Sequence, residues 1–385
     1  MKKILTVVLS LVLALPIMKA QTAYVPSAEI KKSQKEFQDD KFGVFIHWGI
    51  YSMLATGEWT MTNKNLNYKE YAKLAGGFYP SKFSAKEWVS TIKDSGAKYI
   101  CITTRHHDGF SMFDSKYTDF TITKASPFKR DIIKELANEC QKQGIKLHLY
   151  YSHIDWMRED APRGRTGLGT GRPTSTVDWK SYYKFMNNQL TELLTNYGPI
   201  RAIWFDGWWD QDINPNFDWE LPEQYKLIHD LQPGCMVANN HHESPFEGED
   251  MQIFERDLPG ENLAGLSGQE VAHLPLETCE TMNGMWGYKI TDLNYKSPKT
   301  LIHYLVKAAG RDANLLMNVG PQPDGEFPSQ AVDGLKAMGE WIRENGETVY
   351  GTRGGLVTPR EWGVTTIKGD KLYVHILDLE DLILI

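Results

Sequence analysis

The sequence lacks several features that would each point to a particular class of protein. It has four cysteines in 385 residues and no Cys-x-x-Cys pair, which argues against a zinc cluster and a dense disulfide framework. It has no excess of positive charge, since the formal net charge is −7, and this disfavours nucleic acid or an anionic membrane surface as the main partner. No glycine-rich phosphate-binding turn follows the first apolar run, which weakens a dinucleotide-binding interpretation. Neutral substrates fit this composition better.

Aromatic residues, in contrast, are abundant, with 12 tryptophans and 18 tyrosines. Flat amphipathic rings commonly line sites for sugars, although interior packing explains most of them individually. The cysteines are predicted to be buried thiols, because Cys101 lies in an apolar strand pattern and Cys140 on a predicted helix.

The N-terminus has the pattern of a secretory signal. Residues 1–20 begin with two lysines, continue with an apolar stretch and end on the small residue Ala20. The apolar part is too short for a membrane anchor, and no later segment could span a bilayer. We therefore predict export to the periplasm or the outside of the cell, without stable membrane insertion.

From residue 41 onward, short apolar runs alternate with helical periods. Strands are predicted at 41–49, 97–104, 145–152, 200–206, 236–240 and 314–321. Helices are predicted at 84–96, 131–144, 178–198, 222–231, 298–309 and 329–345. With two irregular strands in 252–290, this alternation predicts an α/β fold, a (β/α)8-like barrel over residues 21–349. Residues 350–385 have β-branched alternation and glycine turns, which predict antiparallel strands at the start of an incomplete β-sandwich-like domain.

Polar side chains follow several of these strands. The predicted strand ends carry His47, His106, His107, Tyr151 and Asp206. The carboxyl ends of barrel strands converge on one pocket, so we expect these side chains to form a site. Further strand ends carry Asn239, Asn240 and Asn318.

Asp206 ends the apolar run in IRAIWFDGWWDQD, residues 200–212. An acid after a strand is often only a helix N-cap. Trp204, however, shares the same side of the strand, and histidines approach from other strands. A carboxylate in such surroundings is suited to attack an electrophilic sugar carbon.

The adjacent pair His106 and His107 also raises the question of a metal site. Neighbouring side chains on a strand point to opposite faces, and no His-x-His or His-Glu-x-x-His motif accompanies the pair. Hydrogen bonding to ligand hydroxyls is the simpler interpretation, and we expect neither a metal nor an organic cofactor. The second pair, His241 and His242, is predicted to lie in a solvated loop.

Six stretches of the sequence carry a family resemblance. They are KFGVFIHWGIYS (41–52), GEW (57–59), TTRHHDGFSMF (103–113), IWFDG (203–207), LETCETMNGMWGY (276–288) and NLLMNVGPQPDG (314–325). In this order the sequence resembles family 29 of the glycoside hydrolases, the retaining α-L-fucosidases. The resemblance implies an often distorted barrel followed by a β-sandwich, here truncated, and a fucosylated glycan or oligosaccharide as substrate.

The resemblance also implies roles for individual residues. Asp206 corresponds to the nucleophile, and Glu277 to the acid/base, with Glu280 as the alternative. Contacts to fucose are implied for His47, Glu58, Trp59, His106, His107, Tyr151 and Trp204, with Arg256 near the sugar. The remaining acids between the nucleophile and the last strand are interpreted as solvated loop residues: Glu243, Glu247, Glu249, Glu255, Glu261 and Glu270.

Three other functions fit the same residues. One is a metal-dependent barrel hydrolase, and another is a glycan-binding protein without catalytic activity. The third is a related barrel glycosidase that acts on another deoxy or galacto-configured sugar. Sensitivity to chelators, release of free fucose and a panel of aryl glycosides distinguish them.

Overall fold

The computed structural model describes residues 24–378. The strands are β1 (Phe42–Ile46), β2 (Tyr99–Arg105), β3 (Lys146–Ser152), β4 (Ala202–Asp206), β5 (Met236–Asn240), β6 (Gln252–Glu255), β7 (Leu276–Thr281), β8 (Ala313–Val319), β9 (Arg353–Gly354), β10 (Gly363–Lys368) and β11 (Lys371–Ile376). The helices are α1 (Ala28–Asp40), α2 (Thr60–Asn63), α3 (Tyr68–Ala72), α4 (Ala85–Asp94), α5 (Ile132–Gln143), α6 (Trp179–Asn196), α7 (Leu221–Leu231), α8 (Pro298–Gly310) and α9 (Ser329–Asn345). The predicted signal, residues 1–20, lies outside the described residues, so export stays a prediction.

Strands β1 to β8 form one parallel sheet in the order β5-β4-β3-β2-β1-β8-β7-β6. This order is that of a (β/α)8 barrel, and it confirms the predicted fold class. Among the residues described, no ladder joins β5 to β6, so the barrel is not fully closed. Asp250 bridges the gap: its backbone N–H donates to the Val237 carbonyl at 2.8 Å, and its Oδ2 accepts from the Val237 N–H at 2.9 Å.

Local sequence signals explain where the helices begin and end. The hydroxyl of Ser84 accepts from the backbone N–H of Glu87 at 3.3 Å, and Asp178 caps α6 in the same way. Helix α5 ends at Gly144, which adopts the left-handed conformation that glycine tolerates best. These helices and the strands that they separate therefore agree with the prediction to within a few residues.

The barrel interior has its own apolar core, which α1 completes at the amino-terminal end of the strands. Phe37 of this helix is 2% exposed, and its ring centroid lies 5.5 Å from that of Tyr99 and 6.0 Å from that of His148. A second core lies between the sheet and the outer helices. The sequence prediction missed α1, although it closes the barrel on the side opposite the strand ends.

The C-terminal strands β9, β10 and β11 form a separate antiparallel sheet in the order β11-β10-β9. Its antiparallel pairing confirms the strand type predicted for this region. All four cysteines are free and buried, as predicted. None of the helices between residues 24 and 378 is long and apolar enough to cross a membrane.

Candidate active site

A cavity of about 400 Å³ opens where the strands of the barrel end. Six of the predicted site residues line it: His47, Trp59, His106, His107, Trp204 and Asp206. They come from the ends of three strands, β1, β2 and β4, and from one loop, so the cavity exists only in the folded barrel. The wall also contains the strand-end residue Asn240 and residues that the sequence did not suggest, including Tyr150, Trp209, His242, Glu255 and Trp286.

Asp206 lies at the floor of this cavity as the last residue of β4. Its Oδ2 accepts from the Tyr150 hydroxyl at 2.9 Å, and its Oδ1 accepts from the Trp209 indole N–H at 3.1 Å. The short turn that follows begins with Gly207 as its N-cap residue, and no side chain caps it. The carboxylate therefore faces the cavity and does not cap a following helix.

The surroundings of Asp206 raise its pKa to about 6. Burial is the largest cause, and the negative charge of Glu255 adds to it. The hydrogen bonds from Tyr150 and Trp209 and the charge of His242 act in the opposite direction. At neutral pH the group is therefore ionised but more basic than a solvated aspartate.

Three histidines surround the cavity floor as uncharged rings. The ring of His47 bonds through Nδ1 to Asn318 at 2.7 Å, and that of His107 through Nδ1 to Ser152 at 2.7 Å. Burial lowers the pKa of His47 to about 4 and that of His107 to about 3, and it also lowers the pKa of His106. Neutral imidazoles both donate and accept hydrogen bonds, which suits the hydroxyls of a sugar.

The structure places Tyr151 outside the cavity. Its hydroxyl donates to Gln189 at 2.8 Å, and its ring packs against Arg105 behind the sheet. Tyr150 occupies the inner position, because it pairs in register with Trp204 and successive side chains alternate between the two faces. Tyr150, and not Tyr151, is therefore the tyrosine of β3 that faces the cavity.

Two further residues predicted to contact the sugar do not line the cavity. Glu58 is 2% exposed, and its Oε2 accepts from the backbone N–H of Gly287 at 2.7 Å. Arg256 donates to the Gly284 carbonyl at 3.0 Å, and its guanidinium lies 5.1 Å from the ring centroid of Trp286. Both residues hold the loop that carries Trp286, which itself lines the cavity.

Neither acid suggested by the family resemblance for proton transfer lines the cavity. Glu277 is fully buried in the barrel interior, where it accepts hydrogen bonds from Tyr99 and Trp204. Glu280 is 6% exposed and lies 3.4 Å from Lys296, which is also outside the cavity wall.

Glu255 is the carboxylate that the structure brings to the cavity beside Asp206. Its Oε2 lies 2.7 Å from the amide nitrogen of Asn240 and 3.1 Å from Nε2 of His242. The same amide nitrogen lies 3.5 Å from Oδ1 of Asp206. Oε2 of Glu255 and Oδ1 of Asp206 can therefore be no further apart than the sum of their distances from this nitrogen.

A signal for Glu255 was present in the sequence. Ile253, Phe254 and Glu255 end an apolar run on an acid, as Trp204, Phe205 and Asp206 do. The prediction that His241 and His242 lie in a solvated loop was wrong. His241 is 4% exposed and bonds to Glu249, and His242 contacts Glu255 at the cavity.

Among the described residues, no group of three or more histidine, cysteine or acidic side chains is arranged to hold a metal ion.

Comparisons with known proteins identify relatives over most of the chain. A family model described as alpha-L-fucosidase matches residues 11–347. The chain is 27% identical to an alpha-L-fucosidase of Dictyostelium discoideum, covering 90% of this chain and 78% of that protein. It is 29% identical to the human plasma alpha-L-fucosidase, covering 89% of this chain and 75% of the relative.

Solved structures give the same result. Alpha-L-fucosidase isoenzyme 1 from Paenibacillus thiaminolyticus superimposes with a TM-score of 0.80 at 36% identity, covering 91% of this chain and 85% of that one. A Bacteroides thetaiotaomicron alpha-L-fucosidase, trapped as a covalent intermediate with 2-fluoro-fucosyl fluoride, superimposes with a TM-score of 0.75 at 29% identity. That match covers 87% of this chain and 80% of the other.

Proposed function

Because the chain belongs to the alpha-L-fucosidase family of glycoside hydrolases, we propose that it releases terminal α-L-fucose from fucosylated glycans by a retaining double displacement. The observation that carries this proposal is the Asp206 carboxylate at the floor of the cavity, with a second carboxylate, Glu255, beside it. In retaining glycosidases the two carboxyl groups lie about 5–5.5 Å apart, and the shared Asn240 amide keeps this pair close enough for that spacing.

In the first step Asp206 attacks the anomeric carbon on the face opposite the leaving group. The bond from that carbon to the leaving oxygen breaks as an acid donates its proton to the oxygen. Water then attacks the fucosyl ester, while the residue that donated the proton in the first step now acts as a base and takes a proton from the water. The released fucose keeps its configuration, because each step inverts the anomeric carbon once.

Glu255 is the acid/base in this proposal, in place of Glu277 and Glu280. Burial raises the pKa of Glu255, but hydrogen bonds from His242 and Asn240 and the charge of His242 bring it below the ordinary value. When the pair carries a single proton, that proton therefore favours Asp206 before the substrate reacts. The reaction requires this proton on Glu255. Positive charge that develops at the anomeric carbon stabilises ionised Asp206, and this favours transfer of the proton from Asp206 to Glu255.

The remaining wall fits a deoxy sugar. His47, His106 and His107 present neutral ring nitrogens to hydroxyls, and the rings of Phe45 and Trp286 offer an apolar surface for the C6 methyl group. These side chains lie within one cavity, so they can orient the ring while Asp206 reacts.

The nucleophile is tested with Asp206→Gly. We expect kcat/KM for an aryl α-L-fucoside to fall by more than about 1,000-fold, because no other carboxylate can form the ester. Added azide should restore turnover and give a fucosyl azide of inverted configuration, while circular dichroism stays unchanged. Near-normal hydrolysis by this variant would contradict the assignment of Asp206.

The acid/base is tested with Glu255→Gln. We expect a loss of about 10²–10⁴-fold on fucosyl disaccharides, whose leaving groups need a proton, and a much smaller loss on a nitrophenyl fucoside. Glu261→Gln is a matched control, because Glu261 pairs with Arg311 outside the cavity wall. If the dependence on the leaving group appears in Glu277→Gln instead, the acid/base is Glu277.

One screen separates the proposed activity from the alternatives. Wild-type protein is assayed for free sugar release from a panel of aryl glycosides and fucosylated oligosaccharides, with and without EDTA. Release of fucose that is insensitive to EDTA supports the proposal. Tight binding of fucose without hydrolysis of any fucoside would indicate a binding protein. Faster hydrolysis of another glycoside would show that fucose is not the sugar that the protein releases.

A further inference from the structure

Glu277 is a buried acid that the proposed reaction does not use. It is fully buried, and it pairs in register with Ile253, two residues before Glu255 on the neighbouring strand. It therefore lies inside the barrel, below the level of the cavity. Its Oε2 accepts from the Tyr99 hydroxyl at 2.6 Å and its Oε1 from the Trp204 indole N–H at 3.0 Å.

A carboxyl group in this position is costly to bury, since none of the groups that set its pKa is a basic side chain. An apolar residue would fill the same space without that cost but could not accept a hydrogen bond. The indole of Trp204 has a single donor, so its bond to Glu277 fixes the direction in which the ring points.

The other side of Trp204 belongs to the cavity. Its ring lines the cavity wall, packs edge-on against Phe45 with centroids 5.1 Å apart and stacks on Tyr150 at 5.5 Å. The Tyr150 hydroxyl in turn donates to Asp206 at 2.9 Å. A continuous series of contacts thus leads from Glu277 through two aromatic rings to the nucleophile.

We propose that Glu277 is a positioning residue that orients Trp204, and through it Tyr150, so that the cavity floor holds the sugar ring in line with Asp206. This inference rests on the proposed function, because the ring to be held is the substrate of that reaction. Glu277 does not touch the substrate and exchanges no proton with it.

The ionisation of Glu277 agrees with this position. Burial raises its pKa to about 7, against the two hydrogen bonds that lower it. Below that pH the group is a neutral acid whose carbonyl oxygen still accepts from Trp204. Glutamine has the same shape and a carbonyl acceptor, so it can replace the neutral acid, whereas leucine cannot.

The test compares Glu277→Gln with Glu277→Leu in the full-length protein. We expect Glu277→Leu to lower kcat/KM by about tenfold or more, by the same factor for a nitrophenyl fucoside and a fucosyl disaccharide. Glu277→Gln should stay within about threefold of wild type, and azide should rescue neither variant. The bond is tested directly by Trp204→Phe, which keeps an aromatic ring but removes the donor. Adding Glu277→Leu to Trp204→Phe should then cost less than about threefold more, because the bond is already lost.

Glu249→Gln is the matched control. Glu249 is also a buried acid that accepts from a tyrosine hydroxyl, that of Tyr225 at 2.9 Å, but neither residue lines the cavity. Its substitution should lower the melting temperature without changing kcat/KM of the folded protein. An equal effect of Glu249→Gln and Glu277→Leu on kcat/KM would show that general destabilisation explains both.

Three results would overturn the inference: equal activity of the Leu and Gln variants, a loss that depends on the leaving group, or full additivity with Trp204→Phe. If Glu277→Leu does not fold, Trp204→Phe alone must show a loss that is independent of the leaving group, and its absence overturns the inference. Failure of wild-type protein to release fucose would contradict the proposed function instead.

Discussion

At the scale of single residues, the cavity combines one basic carboxylate with three uncharged histidines. Burial raises the pKa of Asp206 to about 6 and lowers that of His47 to about 4. The same desolvation thus favours the neutral form of both kinds of group. The proposed nucleophile carries the only charge that the proposed reaction requires at the floor, and the imidazoles remain available for hydrogen bonds to hydroxyls.

The pKa of Asp206 leads to a prediction about pH dependence. The proposed reaction needs one proton on the carboxyl pair, and Asp206 has the higher pKa of the two groups, so kcat/KM should fall as the pH rises above about 6 and the pair loses this proton. Trp209→Phe removes a hydrogen bond that stabilises the Asp206 anion and so raises the pKa of Asp206, which should shift this alkaline limb to higher pH by up to about one unit. The measurement is kcat/KM for an aryl fucoside between pH 4.5 and 8.

Trp208→Phe is the control for this prediction. Trp208 is the neighbouring tryptophan on the same turn but lines a different groove, with Phe217 and Phe246. Trp208→Phe should leave the alkaline limb in place. An unchanged limb in Trp209→Phe, or an equal shift in both variants, would mean that this indole does not stabilise the Asp206 anion.

At the scale of elements, the most unusual feature is the gap between β5 and β6. These strands carry Asn240 and Glu255 at their ends, so the gap lies directly beside the proposed acid/base. Asp250 closes it with two hydrogen bonds to Val237, and its carboxylate also bonds to His229 at 2.8 Å. The backbone and side chain of one residue thus supply the hydrogen bonds that a strand pairing supplies elsewhere in the barrel.

Replacing Asp250 should therefore destabilise the protein. We expect Asp250→Ala to lower the free energy of unfolding by about 3–5 kcal/mol, because it leaves the buried Val237 N–H and His229 without their acceptor. Chemical denaturation followed by tryptophan fluorescence measures this. Glu247→Ala, on the same loop but exposed, should cost less than about 1 kcal/mol. Equal losses in the two variants would contradict a bridging role for Asp250.

At the scale of the whole molecule, the two ends of the barrel have different functions. Helix α1 closes the amino-terminal end with apolar side chains, while the carboxyl ends of the strands and their loops form the cavity. A formal net charge of −7 does not attract anionic partners, and the cavity wall offers aromatic rings and neutral imidazoles to an uncharged sugar.

The sequence by itself determined the barrel and most of the cavity floor. Strand and helix periods, caps such as Ser84 and polar residues at strand ends are local signals. They depend on residues that are close together in the sequence, so they can be recognised without the tertiary structure. For the same reason Asp206 and Trp204 could be placed on one side of one strand from spacing alone.

Only the tertiary structure decided which side chains meet across the barrel. Strand register decides that Tyr150 and not Tyr151 lines the cavity. Position along the neighbouring strands decides that Glu255 reaches the cavity and Glu277 does not. Register and position are set by packing between segments far apart in the chain, and a shift of one residue turns every side chain to the other face. No local pattern carries that information, so the partner of Asp206 could be identified only after the barrel was formed.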